Sequence, residues 1–130
     1  MECTKKLYLM LEKFTVSASL KYREEIRKLV GQAKALGIEA LFPNLDFGLN
    51  KDELTPEVIS RLTREHFAAI DQSSVLYVLC PEGYVGRSVT LEIGYAHAKG
   101  KRIYFSEPTN DLVLDALSSG VIPVTEIAKL

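Results

Sequence analysis

The six consecutive apolar residues Val75-Leu76-Tyr77-Val78-Leu79-Cys80 constrain the fold more than any other segment of this sequence. A run of this length without a polar face is typical of a strand buried on both sides, as in the interior of a parallel sheet. Helical patterns flank the run. Thr55-Pro56-Glu57 opens a predicted helix that extends to Ile70, and a second predicted helix, Val89 to Lys99, ends at Gly100. The run therefore predicts the central strand of an α/β sheet.

Strands and helices are predicted to alternate along the whole chain. The other predicted elements are strands at Lys6 to Leu11, Ile38 to Phe42, Arg102 to Ser106 and Val121 to Val124, and helices at Ser19 to Leu36 and Thr109 to Ser119. Pro123 makes the last strand an edge strand. The order βαβαβαβαβ predicts an α/β doubly wound fold, flavodoxin-like or Rossmann-like, with a five-stranded parallel sheet and helices on both faces.

The length and charge of the chain limit the classes of function. The 130 residues, of which 47% are hydrophobic and 25% charged, predict a single globular domain over 1–130. The formal charge of −1 gives no reason to expect a nucleic acid polymer or a membrane surface as partner. The apolar run near the N-terminus is too short for a secretory signal, so a cytoplasmic location is expected. No metal or organic cofactor is expected, because the two cysteines lie far apart and GxGxxG and GxxxxGK[ST] motifs are missing.

Ligands of doubly wound sheets bind beyond the carboxyl ends of the strands. Four segments are predicted at this edge: Met10 to Thr15, Pro43 to Leu49, Pro81 to Ser88 and Ser106 to Thr109. In the first two, Met10 and Asp46 are candidates to line a pocket, and Asp46 has an oxygen that can accept from a ribose hydroxyl.

The loop Pro81 to Ser88 is the main candidate for substrate binding. Gly83 and Gly86 allow the backbone to approach a ligand closely, and Tyr84 lies between them. Arg87 and Ser88, where Ser88 is the predicted N-cap of the following helix, are candidates to hold a phosphate through the free N–H groups of a helix N-terminus. A plain tight turn is an equally good interpretation of the two glycines.

Glu92, about one turn inside that helix, is the candidate nucleophile. The positive end of the helix dipole is expected to favour its ionised form. The alternative is a solvated surface glutamate. The small residues of Ile93-Gly94-Tyr95-Ala96 favour a helix that lies close against the sheet, and so a Glu92 near the site.

The run from Glu92 to Gly100, Glu-Ile-Gly-Tyr-Ala-His-Ala-Lys-Gly, resembles the nucleophile segment of nucleoside 2-deoxyribosyltransferases and their deoxynucleoside 5′-phosphate N-hydrolase relatives. Lys6-Leu7-Tyr8-Leu9 is similar to the first strand of that family, in which a tyrosine contacts the nucleophile. The resemblance implies that Glu92 attacks the anomeric carbon of a nucleoside sugar and that Tyr8 orients it. Water or a second base then resolves the covalent sugar ester. Tyr8 as a core aromatic remains the alternative.

The sequence departs from the family pattern at the general acid. The family has an aspartate on the helix before the central strand, and His66 occupies the matching position here. His66 is therefore a candidate acid, although a buried core histidine is an equally good interpretation. Asp71 is the second candidate, with a capping role as its alternative. Ser88-Val89-Thr90 replaces a segment in which the family commonly has a glycine.

These observations predict an N-glycosidic bond hydrolase or transferase for a nucleoside or nucleoside 5′-monophosphate. A catalytically inactive nucleotide-binding module and an NAD-cleaving glycohydrolase are the alternatives. The resemblance also implies a homo-oligomer, because members of the family complete their pockets with a neighbour's residues. The apolar stretch Phe42 to Leu49 is the candidate contact.

Overall fold

The computed structural model describes residues 13–46 and 51–130 of the chain. Within these residues it contains one sheet of five parallel strands in the order β2-β1-β3-β4-β5. The strands are β1 (Phe14–Ser17), β2 (Ala40–Leu41), β3 (Val75–Val78), β4 (Arg102–Phe105) and β5 (Gly120–Val121). This order confirms the predicted flavodoxin-like doubly wound sheet, with β3 as the central strand and β5 at an edge.

Among the described residues, four α-helices connect the strands. They are α1 (Arg23–Ala35), α2 (Pro56–Asp71), α3 (Arg87–Ala98) and α4 (Leu112–Asp115), with short 3₁₀ turns at Leu20–Tyr22, Lys51–Glu53, Pro81–Gly83 and Val124–Lys129. The start of α2 is as predicted, because the Thr55 hydroxyl accepts the backbone N–H of Val58 (3.2 Å). In the described part of the chain, no helix is long and apolar enough to cross a membrane.

The sheet separates two apolar cores. On one face, Phe14, Val16 and Tyr77 pack with side chains of α1 and of the C-terminal 3₁₀ turn. On the other face, Leu76 and Val78 pack with side chains of α2, α3 and α4. Because successive side chains of a strand point to opposite faces, β3 contributes to both cores and all four of its residues are buried. The helices α2 and α3 therefore share one face of the sheet.

The prediction for the first strand needs correction. Lys6 to Leu11 lies outside the described residues, and the strand that occupies the predicted place in the sheet is β1, whose first residues, Phe14 and Thr15, were predicted to be loop. Thr15 and Ser17 interrupt the apolar pattern there, but both are fully buried. The Thr15 hydroxyl donates to the carbonyl of Ala69 (3.0 Å), so its burial leaves no unpaired donor.

Several element boundaries and one packing contact also differ from the predictions. Gly86, not Ser88, is the N-cap of α3, so Ser88 lies in the first turn of that helix. The helix predicted over Thr109 to Ser119 contracts to α4, because the Asp111 carboxylate accepts two backbone N–H groups and starts the helix late. A Cβ at Gly94 would meet no atom within 4 Å, so this glycine does not bring α3 close to the sheet; the buried Ile93 and Ala96 make that contact.

Gly83 is predicted to be essential for the fold of the loop after β3. Its φ is +78°, and a Cβ there would lie 2.6 Å from the backbone oxygen of Pro108. We expect Gly83→Ala to lower the free energy of unfolding by about 2 kcal/mol. Gly31, in α1 with open space around it, is the control, and Gly31→Ala should raise stability by about 0.5–1 kcal/mol. Urea denaturation measures both, and equal effects would contradict the assignment of strain to Gly83.

Candidate active site

A cavity of about 850 Å³ opens at the carboxyl edge of the sheet. Its walls come from the segments that follow β1, β2 and β3 and from the inner sides of α2 and α3. This is the edge at which ligands of doubly wound folds bind, and the volume suits a molecule of nucleotide size.

The carboxyl group of Glu92 lies on the wall of this cavity, where it meets side chains from two other elements. Ser17, the last residue of β1, donates its hydroxyl to Glu92 Oε2 (2.5 Å). His66, from α2, has Nε2 at 3.2 Å from Ser17 Oγ and at 3.5 Å from Glu92 Oε2. Ser17 is fully buried, and His66 and Glu92 are 5% and 15% exposed. The three residues form a compact, largely buried polar cluster at the cavity wall.

Burial raises the pKa of Glu92 to about 7, although the hydrogen bond from Ser17 acts in the opposite direction. The sequence had predicted the reverse, a carboxylate favoured by the helix dipole. Glu92 is the sixth residue of α3, and the dipole effect falls off within the first turn of a helix. Loss of hydration therefore dominates at this position.

Burial also lowers the pKa of His66 to about 4, which makes this imidazole neutral at pH 7. When Glu92 is ionised, Ser17 must donate to it, and the Ser17 oxygen then accepts from His66 Nε2–H. When Glu92 is protonated, the direction of these hydrogen bonds can reverse, so that Ser17 donates to an unprotonated Nε2. An ionised Glu92 therefore fixes the tautomer of His66 that carries its proton on Nε2.

Most of the residues predicted for substrate binding line the same cavity: Asp46, Tyr84, Gly86, Arg87 and Ser88. Gly83 packs against the backbone of Pro108 and Thr109 instead. Tyr8 and Met10 lie outside the described residues. Within the described residues, the group in contact with Glu92 from the first strand of the sheet is thus Ser17.

The structure does not bring Asp71 to the cavity. Both of its carboxylate oxygens accept from the Tyr95 hydroxyl, at 2.8 and 2.9 Å, and Lys99 Nζ lies 3.7 Å away. Tyr95 in turn stacks on Phe67, with ring centroids 4.1 Å apart. Asp71 therefore joins the outer surfaces of α2 and α3, a structural role.

Sequence reasoning missed Ser17, although a signal for it existed. In the segment Phe14-Thr15-Val16-Ser17, polar and apolar residues alternate, which is the pattern of a strand with two different faces. Had this segment been assigned as the first strand, Ser17 would have been a polar residue at the carboxyl end of a strand. That is the position at which functional side chains of this fold occur.

The raised pKa of Glu92 predicts a pH-dependent effect of Glu92→Gln on stability. In the unfolded chain the carboxyl titrates near 4.5, and in the folded protein near 7. The contribution of Glu92 to the free energy of unfolding is therefore highest below about pH 4.5. As the pH rises through 7, ionisation of Glu92 lowers the free energy of unfolding by about 3 kcal/mol. Glutamine cannot ionise, so the variant should match the wild type near pH 4.5 and exceed it by up to about 3 kcal/mol at pH 8.

Glu65→Gln is the matched control, since the Glu65 side chain is 62% exposed and precedes His66 on the same helix. Chemical denaturation of both variants between pH 4.5 and 8 should leave the control within about 0.5 kcal/mol of the wild type. A loss of stability in Glu92→Gln at every pH would show that Glu92 is a structural partner of Ser17 and His66.

Comparison with solved structures relates the fold to an enzyme. A structure of the CMP N-glycosidase BcmB of Clostridium botulinum matches with a TM-score of 0.56 and 19% sequence identity, over 90% of this chain and 95% of that chain. No model of a protein family matches the sequence, and no curated protein does. The resemblance to nucleoside 2-deoxyribosyltransferase-like proteins is confirmed at the level of the fold, which this chain shares with an N-glycosidase.

Proposed function

We propose that this protein is an N-glycosidase that acts on a nucleoside or nucleoside 5′-monophosphate, with Glu92 as the nucleophile. One observation carries the proposal: a single carboxyl group is buried at the cavity wall with one oxygen held and the other free. The match to a CMP N-glycosidase supports the substrate class.

The two oxygens of Glu92 are in different environments. Oε2 accepts the hydroxyl of Ser17, whereas Oε1 has no partner in the described part of the chain. No buried side-chain oxygen or nitrogen among the described residues is unpaired, so Oε1 must be accessible. Since Glu92 lines the cavity, Oε1 is the oxygen available for attack.

The reaction has two displacements at the anomeric carbon. In the first, Glu92 Oε1 forms a bond to C1′, the bond from C1′ to the base nitrogen breaks, and the base keeps the electron pair. In the second, water attacks C1′, the bond from C1′ to Glu92 Oε1 breaks to release the carboxylate, and the attacking water gives up one proton to the solvent. The products are the free base and the free sugar or sugar phosphate, as in retaining glycosidases.

The departing base also needs a proton, and the two acids predicted from the sequence are poorly suited to supply it. Asp71 is bound to Tyr95 outside the cavity. His66 lines the cavity, but its pKa of about 4 leaves almost no imidazolium at pH 7. In this proposal the proton comes from water in the open cavity. His66 and Ser17 instead hold Glu92 in place.

The N-terminus of α3 suits a 5′-phosphate. Arg87 and Ser88 lie in its first turn and line the cavity on the same helix as Glu92. The first backbone N–H groups of a helix have no partners within the helix, and the helix dipole favours an anion there. A guanidinium group adds charge-assisted hydrogen bonds to phosphate oxygens.

Loss of the nucleophile should abolish activity without loss of the fold. We expect Glu92→Gln to lower kcat for release of free base by at least about three orders of magnitude, equal to about 4 kcal/mol of barrier. Chromatography of free base from a panel of nucleosides and 5′-monophosphates measures it, with Glu57→Gln as the control, because Glu57 is an exposed residue of α2 that does not line the cavity. Because Glu92 must be ionised to attack, kcat/KM of the wild type should rise through about pH 7. A fall over that range would assign Glu92 as a general acid instead.

Arg87 should discriminate nucleotides from nucleosides. We expect the monophosphate to bind more tightly than its nucleoside, and Arg87→Ala to remove about 1.5–3 kcal/mol of that difference. Isothermal titration of one such pair tests this. Arg64→Ala is the control, because Arg64 is an exposed residue of α2 that does not line the cavity. Equal affinity of the wild type for both ligands would favour a nucleoside substrate.

A further inference from the structure

We infer that His66 binds the 2′-hydroxyl of the substrate and that the preferred sugar is therefore ribose and not 2-deoxyribose. This inference rests on the proposed function, because it assumes that Glu92 attacks the anomeric carbon. It adds a specificity-determining residue to the site and names the sugar. The argument begins with the two nitrogens of His66.

One nitrogen of His66 is engaged and the other is free. Nε2 lies 3.2 Å from Ser17 Oγ. Nδ1 has no partner among the described residues, and no buried side-chain nitrogen or oxygen there is unpaired, so Nδ1 must be accessible. His66 is only 5% exposed and lines the cavity. The accessible atom of this side chain therefore faces the cavity beside Glu92.

Ser17 determines what Nδ1 offers to a ligand. With Glu92 ionised, Ser17 donates to the carboxylate and accepts the Nε2 proton, so Nδ1 has a free lone pair. A neutral imidazole in this tautomer is an acceptor for a hydroxyl group. The attacking form of Glu92 and the accepting form of His66 thus occur together.

The stereochemistry of the sugar brings its 2′-hydroxyl to this acceptor. A carboxylate that displaces the base must approach C1′ from the face opposite the base. In a β-ribonucleoside the 2′-hydroxyl projects from that same face, on the carbon next to C1′. It therefore meets the groups beside the attacking oxygen. His66 is such a group, because its Nε2 lies 3.5 Å from Glu92 Oε2 and the residue lines the cavity.

A polar neighbour of this kind favours a ribonucleotide over its 2′-deoxy counterpart. With the deoxy sugar, the Nδ1 lone pair would face a CH₂ group and would lose its hydrogen-bond partner. A site built to bond a hydroxyl discriminates against the analogue that lacks it, because the buried polar group is then unpaired. In retaining glycosidases, hydrogen bonds to the 2-hydroxyl strengthen in the transition state.

The test is the ratio of kcat/KM for a ribonucleoside 5′-monophosphate to kcat/KM for its 2′-deoxy counterpart with the same base. The two sugars differ in intrinsic reactivity, but that difference cancels when the ratio of a variant is divided by that of the wild type. His66→Gln keeps an amide near the position of Nε2, facing Ser17, and removes Nδ1. We expect it to shift the ratio toward the deoxy substrate by about tenfold or more.

His66→Asn is the matched variant, because its amide lies near the position of Nδ1 and should retain most of the preference. Thr63→Val is the control on the same helix, since the Thr63 hydroxyl lines the cavity but donates to the carbonyl of Ile59 (2.8 Å). It should leave the ratio unchanged. An unchanged ratio in His66→Gln, or equal shifts in all three variants, would overturn the inference.

A failure of this inference can be distinguished from a failure of the proposed function. If the wild type releases base from neither sugar, the proposed function fails. Isothermal titration of the wild type with the same pair of nucleotides then tests the inference alone. Tighter binding of the ribonucleotide, lost in His66→Gln, supports it, and equal affinity for the two sugars overturns it.

Discussion

The hydrogen bond between Ser17 and Glu92 joins the two sides of the site and fixes its chemistry. Within the described residues it connects the end of β1 to the middle of α3, 75 residues apart in the sequence. It holds one carboxylate oxygen and so determines which oxygen faces the cavity. It also sets the direction of the hydrogen bond from His66. Without the serine hydroxyl, a carboxyl group that is 15% exposed would lie beside a neutral ring with no donor fixed between them.

Burial of this cluster shifts two pKa values in opposite directions, and the two shifts have opposite effects on stability as the pH changes. The pKa of Glu92 rises to about 7, so lowering the pH from 7 to 4.5 relieves a cost of the folded state. The pKa of His66 falls to about 4, so the same change of pH protonates the unfolded chain first and adds a cost. The contribution of neutral His66 to the free energy of unfolding is fully present above pH 6.5 and is lost as the pH falls through 4. The two effects therefore partly cancel in the pH dependence of wild-type stability.

The fold was predictable from the sequence because its signals are local. The apolar run at Val75 predicted the central strand, and Thr55-Pro56 predicted the start of α2. Glu92, His66 and the loop before α3 were identified as candidates and do share one cavity. The partner of Glu92 was missed because Ser17 is an ordinary polar residue until the sheet places it against α3. The pKa of Glu92 was misjudged for a related reason, since desolvation depends on packing between distant segments, which a local pattern does not encode.

The position of the cluster follows from the strand order. In the order β2-β1-β3-β4-β5 the chain turns one way from β1 to β2 and the other way from β3 to β4, so the connecting helices α1 and α3 lie on opposite faces. A crevice opens between the carboxyl ends of β1 and β3, where no crossover covers the sheet. Ser17 ends β1, and Glu92 lies on the helix that follows β3, so these two residues meet across that crevice. The sheet thus brings a donor and a buried acid together at the one edge where a ligand can reach both.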